Sequence, residues 1–129
     1  VFKFSERSKE NLRECHPDLQ KLFLKVIQVY DCSIIEGHRG EAEQNKAYHA
    51  GKSKLKYPRS KHNKIPSMAV DVVPYPVDWN DRERFVYMAG IIKGIAAEMD
   101  IKIRWGGDWD GNNDLKDQTF FDLPHFELL

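Results

Sequence analysis

Ser60-Lys61-His62-Asn63-Lys64-Ile65-Pro66-Ser67-Met68-Ala69-Val70-Asp71-Val72-Val73-Pro74 opens polar and basic and closes as an apolar run that holds one carboxylate. The β-branched Val70, Val72 and Val73 predict a strand, and Pro74 ends it. Alternation puts Ala69 and Asp71 on one face of that strand and Val70 and Val72 on the other. An acid in such a setting is costly unless something compensates it. A metal ion, an arginine or a cluster of backbone N–H groups would do so.

Working outward, His62 lies before Asp71 across a loop. A second acid–histidine pair stands near the C-terminus, in Phe121-Asp122-Leu123-Pro124-His125-Phe126-Glu127-Leu128. Two histidines and one aspartate, His62, Asp71 and His125, make a three-ligand zinc set with the fourth position open to water. Asp122 is then a candidate general base for that water.

Ser60-x-His62, Ala69-x-Asp71 and Asp122-x-x-His125 together resemble the zinc-dependent D-alanyl-D-alanine carboxypeptidase and L-alanyl-D-glutamate endopeptidase family, and most of all the small phage endolysin peptidases. Glu36-Gly37-His38-Arg39 is similar to the family's upstream arginine segment, and Trp105-Gly106-Gly107-Asp108-Trp109 to the segment before the last ligand. The resemblance runs from about residue 3 to the C-terminus. It implies an α+β fold of the zinc D,D-peptidase (hedgehog/DD-peptidase) kind, with helices on one face of a small antiparallel sheet and the zinc cleft on the other. It also implies hydrolysis of an amide bond in the peptide stems of bacterial peptidoglycan. The bond it points to is L-alanyl-D-glutamate, with D-alanyl-D-alanine carboxypeptidase activity as the alternative.

The same resemblance gives Arg39 the role of stabilising the developing oxyanion or holding a substrate carboxylate, which guanidinium geometry suits. Members of the family usually have a loop two residues shorter, with a glycine, between the first histidine and the aspartate. Pro66 and Ser67 stand in that loop here. Many members carry Glu where this chain has Asp122, one methylene shorter.

Each of these residues has a plainer reading. Asp71 could be a core acid paired with Arg39 or Arg104, and Asp122 a strand-end cap. Glu127 shares a strand face with His125, so it is an alternative base or a group that orients a ligand. Arg39 could form a surface salt bridge. Ser60 could hydrogen-bond substrate or be a loop serine. Trp105 and Trp109 could wall the cleft, with at least one of them in the core. His38 points away from the site if its segment stays extended.

At 129 residues the chain is expected to form one domain, spanning 1–129, large enough for a real core. Twenty basic and twenty acidic residues leave no net charge, which argues against a nucleic-acid partner. No apolar run reaches membrane-spanning length, and the first residues lack the apolar core of a signal peptide. A monomer is expected, made in the host cytoplasm and acting on the wall after release by a phage route. Cys15 and Cys32 lack zinc-site spacing and read as free thiols. A reading of another class is a zinc-stabilised wall-binding or virion protein without activity; an intact ligand set with Asp122 beside it argues against that.

Periodicity supplies the remaining elements. A short helix is expected over Ser8–Cys15, capped by Ser5 or Ser8. An amphipathic helix follows over 17–30, with Leu19, Leu22, Phe23, Val26, Ile27 and Tyr30 in its stripe. Cys32–Glu36 reads as a strand and Glu41–Ala50 as a helix stopped by Gly51. Asp81–Met99 is a long helix with Phe85, Met88, Ile91, Ile92, Ile95, Ala96 and Met99 inward. Gly90 and Gly94 on it would allow another element to come close. Ile101–Trp105 and Phe120–Leu128 complete the strands. The basic segment from Lys52 to Lys64 reads as a solvated loop or as an attraction for anionic wall polymer. Asp110-x-Asn112-x-Asp114 has part of a calcium-loop spacing, but the glycine and the closing acid of such a loop are missing; an Asx-rich surface loop is the other reading.

Overall fold

The structure, a computed structural model, describes residues 2–129. Its elements in chain order are α1 (Glu6–Arg13), α2 (Pro17–Val29), β1 (Cys32–Glu36), α3 (Glu41–His49), a 3-10 turn at Lys61–Asn63, β2 (Ala69–Pro74), α4 (Arg82–Glu98), β3 (Ile103–Gly106) and β4 (Asp122–Leu128). The strands form one antiparallel four-stranded sheet in the order β1-β2-β4-β3. The α+β class read from the sequence is the observed one.

Local chemistry sets the helix starts. Ser5 accepts the Ser8 N–H at 3.1 Å, so α1 begins two residues before the expected Ser8. His16 caps α2 through Nδ1, which accepts the Asp18 N–H at 3.0 Å, and Pro17 fills the first turn. Asp81 accepts the Arg84 N–H at 3.3 Å and starts α4.

The core lies between the sheet and the pair α2 and α4. Leu19, Leu22, Phe23, Val26 and Ile27 of α2 are buried there, with Phe85, Met88, Ala89, Ile92 and Ala96 of α4. They meet Val70 and Val72 of β2 and Phe126 of β4. Phe23 meets Phe126 edge-on at 6.3 Å, and Trp105 stacks on Phe126 at 6.4 Å. Ile91 stays at the margin, half-buried. The close approach expected at Gly90 and Gly94 does not occur. Both face solvent, and a Cβ on either would meet nothing within 4 Å.

Helix α1 packs beside β1. The Ile34 N–H donates to Ser8 Oγ at 3.0 Å, and Asn11 Nδ2 donates to the Ile34 carbonyl at 2.8 Å. The 64–68 loop bridges this side and the candidate site, since Ser67 Oγ donates at 3.2 Å to the Gly37 carbonyl that also faces His62 Nδ1. Ser67 N–H donates to the Glu14 carbonyl at 2.8 Å, and His16 N–H to the Ser67 carbonyl at 2.9 Å. Ser67, buried, is thus tied to the α1–α2 corner, while Pro66 stays exposed.

Two irregularities in the sheet re-aim side chains. In β1 the register shifts between Ile34 and Glu36, so that Glu36 rather than Ile35 lies opposite Asp71. In β4 the register shifts so that Trp105 pairs with Phe126 but Gly106 pairs with Asp122. Pro124 lies inside that interruption, where a strand can spare an N–H. A side chain at Gly106 would run into the Asp122 backbone, which explains the glycine.

Candidate metal centre and cleft

Three elements bring the sequence-expected ligands together. The 3-10 turn carries His62, β2 carries Asp71, and β4 carries His125 directly opposite Asp71 in the ladder. All three are buried, and one donor atom from each lies within 4.8 Å of the others. His62 Nε2 is 3.1 Å from Asp71 Oδ1 and 3.2 Å from His125 Nδ1, and His125 Nδ1 is 3.4 Å from Asp71 Oδ1. Donors about 2.0 Å from a tetrahedral zinc are separated by about 3.3 Å, so this triangle has the right edge lengths.

The outward nitrogens are pinned. His62 Nδ1 lies 2.7 Å from the Gly37 carbonyl, which can only accept, so Nδ1 carries a proton and Nε2 is the nitrogen turned toward the centre. His125 is turned the other way round: Nε2 meets Glu127 Oε1 at 2.8 Å and Nδ1 faces the centre. This is how metal-bound histidines are oriented elsewhere. Gly37 must be a glycine, because a Cβ there would strike the Asn11 carbonyl.

Ser60, expected as a substrate contact, has a structural task as well. Its Oγ accepts the His62 N–H at 3.2 Å, and its N–H donates to Asn63 Oδ1 at 3.0 Å. This capping box holds the turn that aims His62.

The electrostatics follow from this packing. Burial alone would raise the Asp71 carboxyl, but the imidazoles of His62 and His125 outweigh it and hold Asp71 well below the usual carboxylate range. Burial opposes charge on His125 too, yet Asp71 and Glu127 push it up to about 9 without a metal. Asp122 Oδ2 is 3.9 Å from His125 Nδ1 at the rim of the centre. Burial first, then the Asp71 charge, raise Asp122 to about 6. Glu127 lies beyond the far nitrogen of His125, with Oε2 at 3.7 Å from Lys61 Nζ and 3.6 Å from Arg104 Nη1. That position fits an orienting group better than a base.

Arg39 is a junction. Its Nη2 bonds Glu36 Oε1 at 2.5 Å and faces Asp71 Oδ2 at 3.4 Å, while Nη1 donates to Gln44 Oε1 at 3.0 Å. Asp71 thus turns one oxygen toward the two histidines and the other toward Arg39. Arg104 pairs with Glu127 instead of Asp71.

Sequence reasoning missed Gln44. It is fully buried, accepts from Arg39 and from Asn63 Nδ2 (3.3 Å), and donates to Ser53 Oγ at 3.0 Å and the Leu55 carbonyl at 2.6 Å. It thereby joins Arg39 to the basic loop. A lone glutamine on a short polar helix gives no periodic signal. The Glu36–Arg39 spacing was visible, but the bulge that turns Glu36 inward was not.

A cleft of about 430 Å³ opens over the centre, lined by Arg39, His62, Asp122, His125, Trp109 and Phe120 among others. A neighbouring hollow of about 710 Å³ shares Arg39 and Asp122 with it and is walled by Trp79, Phe85, Phe121 and Leu123. Trp109 stacks on Phe120 at 6.0 Å and lies 5.6 Å from the His125 ring, so it walls the cleft, whereas Trp105 is core. His38 lines neither hollow. In the loop after β3, Asp110, Asn112 and Asp114 accept backbone N–H groups two residues on, as successive Asx turns. Cys15 and Cys32 are free, buried thiols. No helix among the described residues is long and apolar enough to cross a membrane.

The chain is 34% identical to the L-alanyl-D-glutamate peptidase of Escherichia phage T5 over 137 aligned positions, covering 99% of this chain and 98% of that protein. In three dimensions it is similar to the L-Ala D-Glu endopeptidase ChiX of Serratia marcescens, with a TM-score of 0.76 and 32% identity, over 98% of this chain and 90% of that one. The profile described as phage L-alanyl-D-glutamate peptidase matches residues 1–129. With the expected motifs in place, the chain belongs to the phage L-alanyl-D-glutamate peptidase family.

Proposed function

We propose that this chain is a single catalytic domain that hydrolyses the L-alanyl-D-glutamate bond of peptidoglycan stem peptides as a zinc-dependent, endolysin-type peptidase. The observation that carries this is the His62–Asp71–His125 triangle with edges of 3.1, 3.2 and 3.4 Å, whose outward imidazole nitrogens are both occupied by acceptors. Zinc held by these donors would supply Lewis acidity and an activated water at neutral pH.

The protein's own groups do the rest. Asp122, at the rim and raised to about 6, takes a proton from the attacking water and returns it to the leaving glutamate nitrogen. Arg39 keeps one Nη1 N–H beyond its bonds to Glu36, Asp71 and Gln44, and offers it to the oxygen that gains charge at the alanine carbonyl. Its pairing with Glu36 and Asp71 fixes its direction before substrate arrives. Glu127 holds the His125 ring, and Ser60 holds the turn that bears His62. The wall is reached after release from the cell that makes the protein.

The test is mass spectrometry of purified peptidoglycan digested with and without a chelator, followed by zinc add-back. Chelator-sensitive fragments cut after L-alanine are expected. Release of terminal D-alanine alone would make the protein a carboxypeptidase. Zinc-loaded protein that releases nothing from walls of several chemotypes would overturn the enzymatic reading.

A further inference from the structure

The two hollows flanking Asp122 and Arg39 differ in charge. The cleft over the centre is rimmed by Lys54, Arg59, Lys61 and Arg104. The neighbouring hollow is mainly apolar, and its acids Glu36, Glu43, Asp71 and Asp122 outnumber its cations Arg39, Lys46 and Lys52. An anionic group is therefore favoured on the first side and an uncharged one on the second.

Most of the cations in the basic cleft are already engaged. Lys61 and Arg104 both face Glu127 Oε2, and Lys61 also bonds the Leu128 carbonyl. Lys54 lies over the Phe120 ring at 5.1 Å. Arg39 is neutralised by Glu36 and Asp71. Arg59 lines the same cleft with an exposed side chain that, among the described residues, has no ion pair and no hydrogen bond. Its backbone is fixed, since its N–H donates to the Lys56 carbonyl at 2.8 Å in the turn just before the Ser60 cap.

The substrate class assigned above supplies a matching anion. The glutamate on the leaving side of the bond has two carboxyl groups. One continues the stem, and the other stays free unless it is amidated. When the side-chain carboxyl continues the stem, the free one is attached to the carbon that bears the scissile nitrogen. We propose that Arg59 binds this free glutamate carboxylate, so that the stem lies with its glutamyl end in the basic cleft and its alanyl end toward Trp79 and Phe121. Arg59 is then a specificity determinant that distinguishes acidic from amidated stems. This inference rests on the peptidase reading.

The terminal carboxylate of the stem has the same chemistry, so the test separates the two sources. Three synthetic stem peptides are needed, with the zinc-loaded full chain: one with the free glutamate carboxyl, one with that carboxyl amidated, and one with only the C-terminus amidated. The free acid should be cut with a kcat/KM about three- to tenfold above its glutamate amide at low salt, and the ratio should shrink as salt rises. The C-terminal amide should match the free acid. Arg59→Ala should bring the ratio to about one with zinc content unchanged, and Arg59→Lys should keep part of it. Equal cutting of acid and amide by the unmodified protein, a ratio that survives Arg59→Ala, or a preference that follows the C-terminal carboxylate would overturn the role of Arg59 while leaving the peptidase reading intact. No cleavage of any peptide after alanine would overturn that reading itself.

Discussion

His62 Nε2 and His125 Nδ1 lie 3.2 Å apart, so residues 63 positions distant in the chain turn unlike ring nitrogens to one point. The two rings are held from behind by different means, a backbone carbonyl for His62 and the Glu127 carboxylate for His125. Replacing either ligand should therefore have a different consequence from replacing its support. His62→Ala or His125→Ala should abolish zinc binding and activity together. Glu127→Gln should weaken zinc binding by about 10- to 100-fold and leave activity recoverable at high zinc. Metal analysis after dialysis, with activity measured across a zinc titration, checks both. Full activity in the histidine variants without bound metal would refute the ligand assignment.

Asp122→Asn should retain zinc and lose turnover by about 10²–10⁴. The sign of the pH effect follows from the base role. A base works ionised, and Asp122 is raised to about 6, so activity should fall as pH drops through that region. A bound cation would move the acid limb lower. The limb should vanish from the residual activity of Asp122→Asn. Unchanged turnover in that variant would shift the role to another carboxylate.

Gln44 predicts a loss of a different kind. Gln44→Leu removes the acceptor for Arg39 and the donor to the Leu55 carbonyl, and leaves polar groups buried without partners. The stability cost should be about 1–3 kcal/mol, read by denaturant unfolding. Because Arg39 loses its orientation, kcat should fall more than the stability change explains at temperatures where the variant is fully folded. Gln44→Glu keeps the acceptor but loses the donors, so it should recover part of kcat. Identical kinetics in all three proteins would confine Gln44 to a packing role.

The two thiols should be inert in the native state. Burial pushes both Cys15 and Cys32 up to about 12, so almost no thiolate exists near neutral pH. A thiol reagent should label neither residue in native protein and both after denaturation. Fast labelling of the native form would mean that the α1–β1 side opens readily.

The sequence made the helices and the meeting of His62, Asp71 and His125 legible because each leaves a local trace. The α2 stripe repeats every three or four residues, and Asp71 stands out as the acid in a valine strand. What escaped depends on contacts distant in sequence. Gln44 looks like any surface glutamine until the 53–55 loop folds over it. The bulge at Ile35 and the interruption around Pro124 decide where Glu36 and Asp122 point, and neither leaves a periodic mark. Pro66 and Ser67 were visible in the loop before Asp71, but the bonds by which Ser67 links the α1–α2 corner to the Gly37 carbonyl were not. Gly90 and Gly94 misled for the opposite reason: their spacing suggested contact on a face that meets only water.

The bonds from Ser8 and Asn11 to Ile34 have a consequence for crowded solutions. β1 is an outer strand, and its outward N–H and C=O at Ile34 would otherwise be a template for a strand of another molecule. Helix α1 occupies that template with two short polar side chains. This border is thereby protected from edge-to-edge pairing with another molecule, and a Ser8→Ala, Asn11→Ala double variant should precipitate at concentrations where the parent stays clear.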